Sequence, residues 1–189
     1  KILNLDRPFP MRRGGALQDV QIAYETWGDL SFCNDNAILI FTGLSPSAHA
    51  ASSTEDPAPG WWEDMIGPGR PIDTRRFFVI CVNSLGSPFG STSPASVNPA
   101  TGQCYRLTFP VLTVEDIARA GHEVVASLGI KKLPAVVGPS LGGMTVLAYC
   151  ALFPEGARAL VSISSAARST PFAIALRSLQ REMIRKDPA

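Results

Sequence analysis

Residues 134–153 read PAVVGPSLGGMTVLAYCALF, and this stretch decides the fold. A short apolar run comes first, then a serine among glycines, then an apolar segment of helical character. That is the layout of a strand, a turn too tight for large side chains, and a buried helix that begins right after the serine. Gly138-Pro139-Ser140-Leu141-Gly142 fits G-x-S-x-G, the nucleophile elbow, in which the serine hydroxyl stands out of the turn at the carboxyl end of a strand. The pattern alone is weak evidence. Its place between an apolar strand and an apolar helix is what the mechanics of the motif demand.

Working outward, AILIF (Ala37 to Phe41) and FFVICV (Phe77 to Val82) read as strands buried on both faces of a parallel sheet. VQIAYETW, after a turn at Gly14-Gly15, and ALVSIS (Ala159 to Ser164) read as two more strands. Thr113 opens a helix: Thr113 with Asp116 resembles a capping box, and Ile117, Val124, Val125 and Leu128 recur at helical spacing until Gly129. The Pro-, Gly- and Ser-rich segment from Thr42 to Asp73 is too long for a plain connection, and GWWEDMIG within it predicts a short helix whose tryptophans pack the loop onto the sheet. NSLGSPFGSTSPASVNPATG makes turns rather than core. Strands alternating with helices or long loops predict an α/β fold with a mostly parallel sheet and flanking helices. Residues 1–164 read as the N-terminal part of the core. Residues 165–189, with the helix IALRSLQREMIRK, read as the start of a lid or cap, or as a helix with a solvated face bearing Arg177, Gln180, Arg181 and Arg185.

With 189 residues, one core is the default, and a formal net charge of +1 gives no reason to expect a nucleic acid or an anionic membrane as partner. No apolar run is long enough for a spanning helix and the N-terminus lacks a signal-peptide layout, so a cytoplasmic protein is expected. The four cysteines lack C-x-x-C spacing, with Cys81 and Cys150 in apolar runs, and the two histidines, His49 and His122, have no ligands at metal spacing. No metal site is expected.

The chemistry follows from the serine. The helix beginning at Leu141 points its first N–H groups at the site, so the Leu141 amide is one donor to a tetrahedral oxyanion. The second donor is expected from Thr42, Gly43 or Leu44, where AILIF runs into a glycine that allows an N–H to turn inward. Serine also needs a base, and a carboxylate to orient it, which follow the serine in this arrangement. No histidine follows His122. His122 itself reads as an ordinary helix residue. The chain is then a fragment, an inactive form, or one in which His49 or His122 has an unusual role; the fragment reading fits best, since ALVSIS would leave an open apolar sheet edge.

The blocks TGLSPSAHA, PGWWEDMIGPGRPIDTRRFFVICVN, LGSPFGSTSPASVNPATG, FPVLTVED and VVGPSLGGM together resemble the homoserine O-acetyltransferase family, including its serine O-acyltransferase branch, within the α/β-hydrolase superfamily. The resemblance runs along nearly the whole chain and corresponds to the N-terminal half of that family. It implies an α/β-hydrolase fold and a cytoplasmic homodimer that moves an acetyl or succinyl group from acetyl-CoA or succinyl-CoA, a cosubstrate rather than a bound cofactor, to the side-chain hydroxyl of L-homoserine or L-serine, for methionine or cysteine synthesis. By position, Ser140 matches the family nucleophile, Leu141 the amide after it, and residues 42–44 the oxyanion loop. The family's catalytic Asp and His, and its arginine for the substrate carboxylate, would follow Ala189. TGLSPSAH and GPSLGGM, where many members have TGDSH and GGSMGGM, lie closer to the serine-acylating branch. L-homoserine is the acceptor expected first, with L-serine the alternative; an esterase of the same superfamily and a non-catalytic α/β scaffold are the other readings.

Overall fold

A computed structural model describes residues 1–187, so the last two residues of the expected lid segment lie outside the described residues. A six-stranded sheet forms the centre: β1 (Ile2–Asn4), β2 (Gln21–Trp27), β3 (Ala37–Phe41), β4 (Phe78–Val82), β5 (Leu133–Pro139) and β6 (Ala157–Ile163). Their order across the sheet is β1-β2-β4-β3-β5-β6. β3, β4, β5 and β6 run parallel to one another, while β2 pairs antiparallel with both β4 and β1 at the margin. Every residue of β3 and of β4 is buried, as strands covered on both faces require.

The pleat divides the apolar side chains between two cores. Leu39, Phe41, Ile80 and Val82 face the helices α1 (Val114–Ser127) and α2 (Leu141–Leu152), with Tyr149, Val124 and Ile117 packed among them. Ile38, Ile40, Val79 and Cys81 point to the other face, where Trp27, Ala50, Ala51 and Ile66 cover them. Burial pushes the Cys81 thiol far above the ordinary range, so it behaves as a small apolar side chain. Cys150 is only partly buried, against the first core, and Cys33 and Cys104 are exposed.

Local signals in the sequence account for the element ends. Thr113 Oγ1 accepts from the Asp116 N–H while the Asp116 carboxylate accepts from the Thr113 N–H at 3.0 Å, which makes the expected capping box. Gly129, at φ +72°, provides the left-handed residue just past the end of α1.

The helix expected from GWWEDMIG does not form. Residues 61–65 are turns, and Ile66–Gly67 is a two-residue strand paired with Ile72–Asp73. The segment bonds outside itself instead: the Met65 carbonyl accepts from the Ile72 N–H at 2.8 Å, while the Trp61 N–H donates to the His49 carbonyl at 3.3 Å and the Trp62 N–H to the Ala50 carbonyl at 2.8 Å. Glu63 accepts from the Gly60 and Ser52 N–H groups and from the Ser52 hydroxyl, closing the turn over residues 50–52. The two indoles stack at 5.1 Å against the second core, as packing residues do.

α3 (Pro171–Arg185) starts at the Thr170 cap with proline in its first turn and buries no residue. Phe172, Leu176, Leu179 and Met183 recur along it at spacings of four, three and four, all exposed. Leu160 and Val161 of the edge strand β6 are exposed as well. Among the described residues no helix is long and apolar enough to cross a membrane.

Candidate active site

The carboxyl ends of β3, β4 and β5 converge on one spot, and the tight packing of α2 against them sets its geometry. A Cβ on Gly142 would lie 2.2 Å from the Phe41 carbonyl oxygen and 2.7 Å from that of Thr42. A Cβ on Gly138 would lie 2.4 Å from the Gly142 carbonyl carbon. Real Cβ atoms do not approach backbone this closely, so both glycines of the G-x-S-x-G pattern are required by close approach. The result is an α-helix whose first turn abuts the ends of β3 and β5.

Ser140 is the hinge between β5 and α2. Its backbone sits at φ 54° and ψ −117°, a region that L residues avoid and one that costs of order 1–3 kcal/mol. The surroundings enforce it: the Ser140 N–H donates to the Ile163 carbonyl of β6 at 2.9 Å, and the Ser140 carbonyl accepts from Met144 at 3.1 Å. The Ser140 side chain makes no capping hydrogen bond to α2 and is exposed. The hydroxyl thus stands clear of the helix it precedes, while Leu141 begins α2 with an N–H that has no partner within the helix.

The residues expected to complete the oxyanion hole lie beside this elbow. Thr42 is buried and its Oγ1 is 3.2 Å from Ser84 Oγ, which couples the ends of β3 and β4. Gly43 is buried, its notional Cβ 3.9 Å from the Pro139 carbonyl oxygen, and Leu44 turns outward, 73% exposed. Neither strain nor close approach requires glycine at position 43. Its φ is not in the left-handed region, and a Cβ would meet only ordinary contacts, the nearest being Pro46 Cδ at 3.7 Å. Nothing in the local backbone demands glycine there.

The ring nitrogens of the two histidines find partners other than Ser140. His122 lies on α1 with its ring stacked 3.8 Å from that of Phe153 and its Nδ1 3.1 Å from the Tyr149 hydroxyl. Tyr149 is nine residues along α2 from the elbow, roughly 13 Å of helical rise. Burial lowers the His122 pKa from its ordinary value. His49 has both ring nitrogens engaged, Nδ1 with Glu25 Oε2 at 2.9 Å and Nε2 with the Ala58 carbonyl at 2.8 Å. Its pKa is raised, first by the Ala58 carbonyl and then by Glu25. Sequence reasoning missed this bridge because it joins three segments that only the fold brings together.

The turn after β6 completes the surroundings. Ser164 takes a positive φ of 48°, Ser162 Oγ donates to the Gly143 carbonyl at 3.1 Å, and Ser165 Oγ bonds Ser162 Oγ. Among the described residues no group of three or more His, Cys, Asp or Glu is placed to hold a metal ion.

Comparison with known proteins agrees with this geometry. The family model for the alpha/beta hydrolase fold matches residues 36–187. A serine O-succinyltransferase of Litchfieldella anticariensis is 62% identical over 189 residues, covering 100% of this chain and 52% of the relative. Among solved structures, a homoserine O-acetyltransferase from Bacillus anthracis superposes with a TM-score of 0.91 at 34% identity, covering 100% of this chain and 52% of that one. Esterase E22 superposes with a TM-score of 0.90 at 35% identity, covering 100% and 53%. The chain thus spans about half the length of the curated relatives it matches. With the parallel sheet, the elbow at Ser140 and the family match in agreement, the chain belongs to the alpha/beta hydrolase fold family.

Proposed function

We propose that this chain carries the nucleophile and the oxyanion hole of an acyl-CoA-dependent O-acyltransferase. The observation that carries the reading is the strained Ser140 elbow, its hydroxyl uncommitted, at the start of a helix packed against Phe41 and Thr42. Ser140 Oγ attacks the thioester carbonyl carbon of the donor, and the developing oxyanion is held by the Leu141 N–H and by an N–H from residues 42–44. The general base takes the Ser140 proton and hands it to sulfur as the carbon–sulfur bond breaks, so CoA leaves as the thiol and an ester on Ser140 remains. The acceptor hydroxyl then attacks that ester, and the proton it loses passes through the general base to the Ser140 oxygen as the ester bond to Ser140 breaks.

The general base is a histidine oriented by an aspartate, both following residue 189 in a longer protein, since His49 and His122 are committed elsewhere. That C-terminal remainder is also the partner for the open side of the molecule, where Leu160, Val161 and the apolar stripe of α3 are exposed. Residues 165–187 begin its lid. The assembled enzyme is a cytoplasmic homodimer serving amino-acid synthesis.

L-serine is the acceptor we favour and succinyl-CoA the donor, with L-homoserine and acetyl-CoA as the alternatives. The 62% identity to proteins named serine O-succinyltransferase, against 34% to a homoserine O-acetyltransferase, supports that order and reverses the one expected from sequence alone. The second reading is an esterase, favoured by the 0.90 TM-score to esterase E22. The full-length protein incubated with succinyl-CoA or acetyl-CoA, with and without each amino acid, separates the two. CoA release that depends on L-serine supports the transferase, and release indifferent to any amino acid supports the esterase.

A further inference from the structure

The loop that follows β3 is short where it matters. Thr42 is tied to Ser84 at one end, and at the other the Ser47 carbonyl accepts from Trp61 Nε1 at 3.0 Å. Only residues 43–46 lie between these ties, with Leu44 and Ser45 exposed. The position of the N–H groups at 43 and 44 is therefore decided by how firmly the second end is held.

His49 is one of the groups that hold that end, and its backbone N–H donates to Ser47 Oγ at 3.2 Å. Its ring reaches Glu25 on β2 through Nδ1 and the Ala58 carbonyl through Nε2, while its own carbonyl accepts from the Trp61 N–H. The side chain is 17% exposed and that of Glu25 33%, so water competes only partly for these bonds. Both ring nitrogens face acceptors, and only an imidazolium can donate to both at once. A neutral ring satisfies one and leaves the other facing a lone pair. The other charged groups near the ring are Asp56, 3.8 Å from Nδ1, and Glu55 and Lys1, which line the adjoining cleft with Glu25 and Asp56. Glu63, on the same loop, is already bound by Ser52 and Gly60. Carboxylates outnumber the one lysine here, and the His49 pKa is raised first by the Ala58 carbonyl and then by Glu25 and Asp56.

We propose that His49 is a positioning residue for the oxyanion loop: its imidazolium, bridging Glu25 and the Ala58 carbonyl, holds residues 43–47 so that a backbone N–H meets the oxyanion formed at Ser140. The inference rests on the acyl-serine reading above. Two consequences follow from the geometry. Deprotonating His49 releases one of the two bonds, so turnover falls as pH rises through the His49 pKa. Removing the Glu25 charge makes the proton easier to lose, so that fall moves to lower pH.

The test uses the full-length protein, with His49→Gln and Glu25→Gln variants, and reads two quantities against pH: the protonation of both His49 ring nitrogens by nitrogen-15 NMR, and kcat with succinyl-CoA and L-serine or with p-nitrophenyl acetate. The ester needs the same oxyanion hole but no CoA and no amino acid, so it tests His49 even if the transferase reading fails; an active Ser140→Ala variant would instead sink that reading. In the wild type the descending limb of kcat is expected to coincide with the His49 titration, and in Glu25→Gln both move down together. His49→Gln is expected to lose the limb and to lower kcat by roughly 10- to 100-fold, less than the ~10²–10³-fold cost of deleting an oxyanion donor, with KM changed by less than about 3-fold. A limb that stays in place in Glu25→Gln while the His49 titration shifts would overturn the proposal. So would a folded His49→Gln variant with wild-type kcat and an unchanged pH profile.

Discussion

Gly142 lies against Phe41 so closely that a Cβ added to it would sit 2.2 Å from the Phe41 carbonyl oxygen. This contact joins the first turn of α2 to the end of β3 and brings Gly142, next to Leu141, against Phe41 and Thr42. Gly142→Ala has no flexible side chain to displace, only backbone. It is expected to destabilise the protein by about 3 kcal/mol or more and to abolish activity, as urea unfolding and a CoA-release assay would record. Gly43→Ala serves as the contrast, because its nearest contact is 3.7 Å and its φ is ordinary. Its stability is expected to stay within about 0.5 kcal/mol of wild type. Equal losses at the two positions would show that close packing is not what selects glycine at 142.

The backbone of Ser140 predicts opposite effects on stability and on activity. Ser140→Gly removes a side chain from φ 54°, ψ −117° and is expected to raise stability by about 1 kcal/mol. It also removes the nucleophile, so labelling by a fluorophosphonate should vanish and kcat should fall by roughly 10⁴-fold or more. Ser140→Ala should lose activity equally without the gain in stability. A variant without the hydroxyl that still accepts the label would place the nucleophile elsewhere.

Much of this was legible because the signals are local. The buried β3 and β4 are continuous apolar runs, the α1 cap is a four-residue pattern at Thr113 to Asp116, and the elbow pattern reports a steric need that Gly138 and Gly142 both show. The turn at residues 61–65 was not legible. Its apolar spacing imitates a helix, and only the fold shows the competing pairing of Met65, Ile66 and Gly67 with residues 72–73. The His49 bridge was hidden for the same reason, since Glu25, His49 and Ala58 share no pattern in the chain.

Glu63 makes the stability of the same loop depend on acid. The Gly60 N–H, followed by the Ser52 N–H and hydroxyl and by the Arg70 charge, lowers its pKa from 4.5 to about 2. A carboxylate depressed in the folded state binds its proton more weakly there than when unfolded. Its stabilisation is therefore complete above about 4.5 and is lost as pH falls towards about 2. Glu63→Gln is expected to lower the Tm at neutral pH by a few degrees and to flatten the pH dependence of Tm within that window. An unchanged slope would mean that the carboxylate does not hold the loop.

The exposed stripe Phe172, Leu176, Leu179 and Met183 on α3, with Leu160 and Val161 on β6, predicts that residues 1–189 alone bind a hydrophobic dye and self-associate. Replacing Leu176 and Leu179 together by glutamate should reduce both in light-scattering and dye-binding measurements. Monomeric, dye-free behaviour of the unmodified piece would mean that these side chains find cover within the chain itself.

If Ser140 carries the acyl group between a thioester and an amino-acid hydroxyl, intact-protein and peptide mass spectrometry of the full-length protein will show the group on it. After brief exposure to succinyl-CoA without acceptor, a succinyl increment is expected on the peptide containing Ser140, which disappears when L-serine is added and reappears as O-succinylserine. An enzyme that turns over while that peptide stays unmodified, or that carries the increment on another residue, would contradict it.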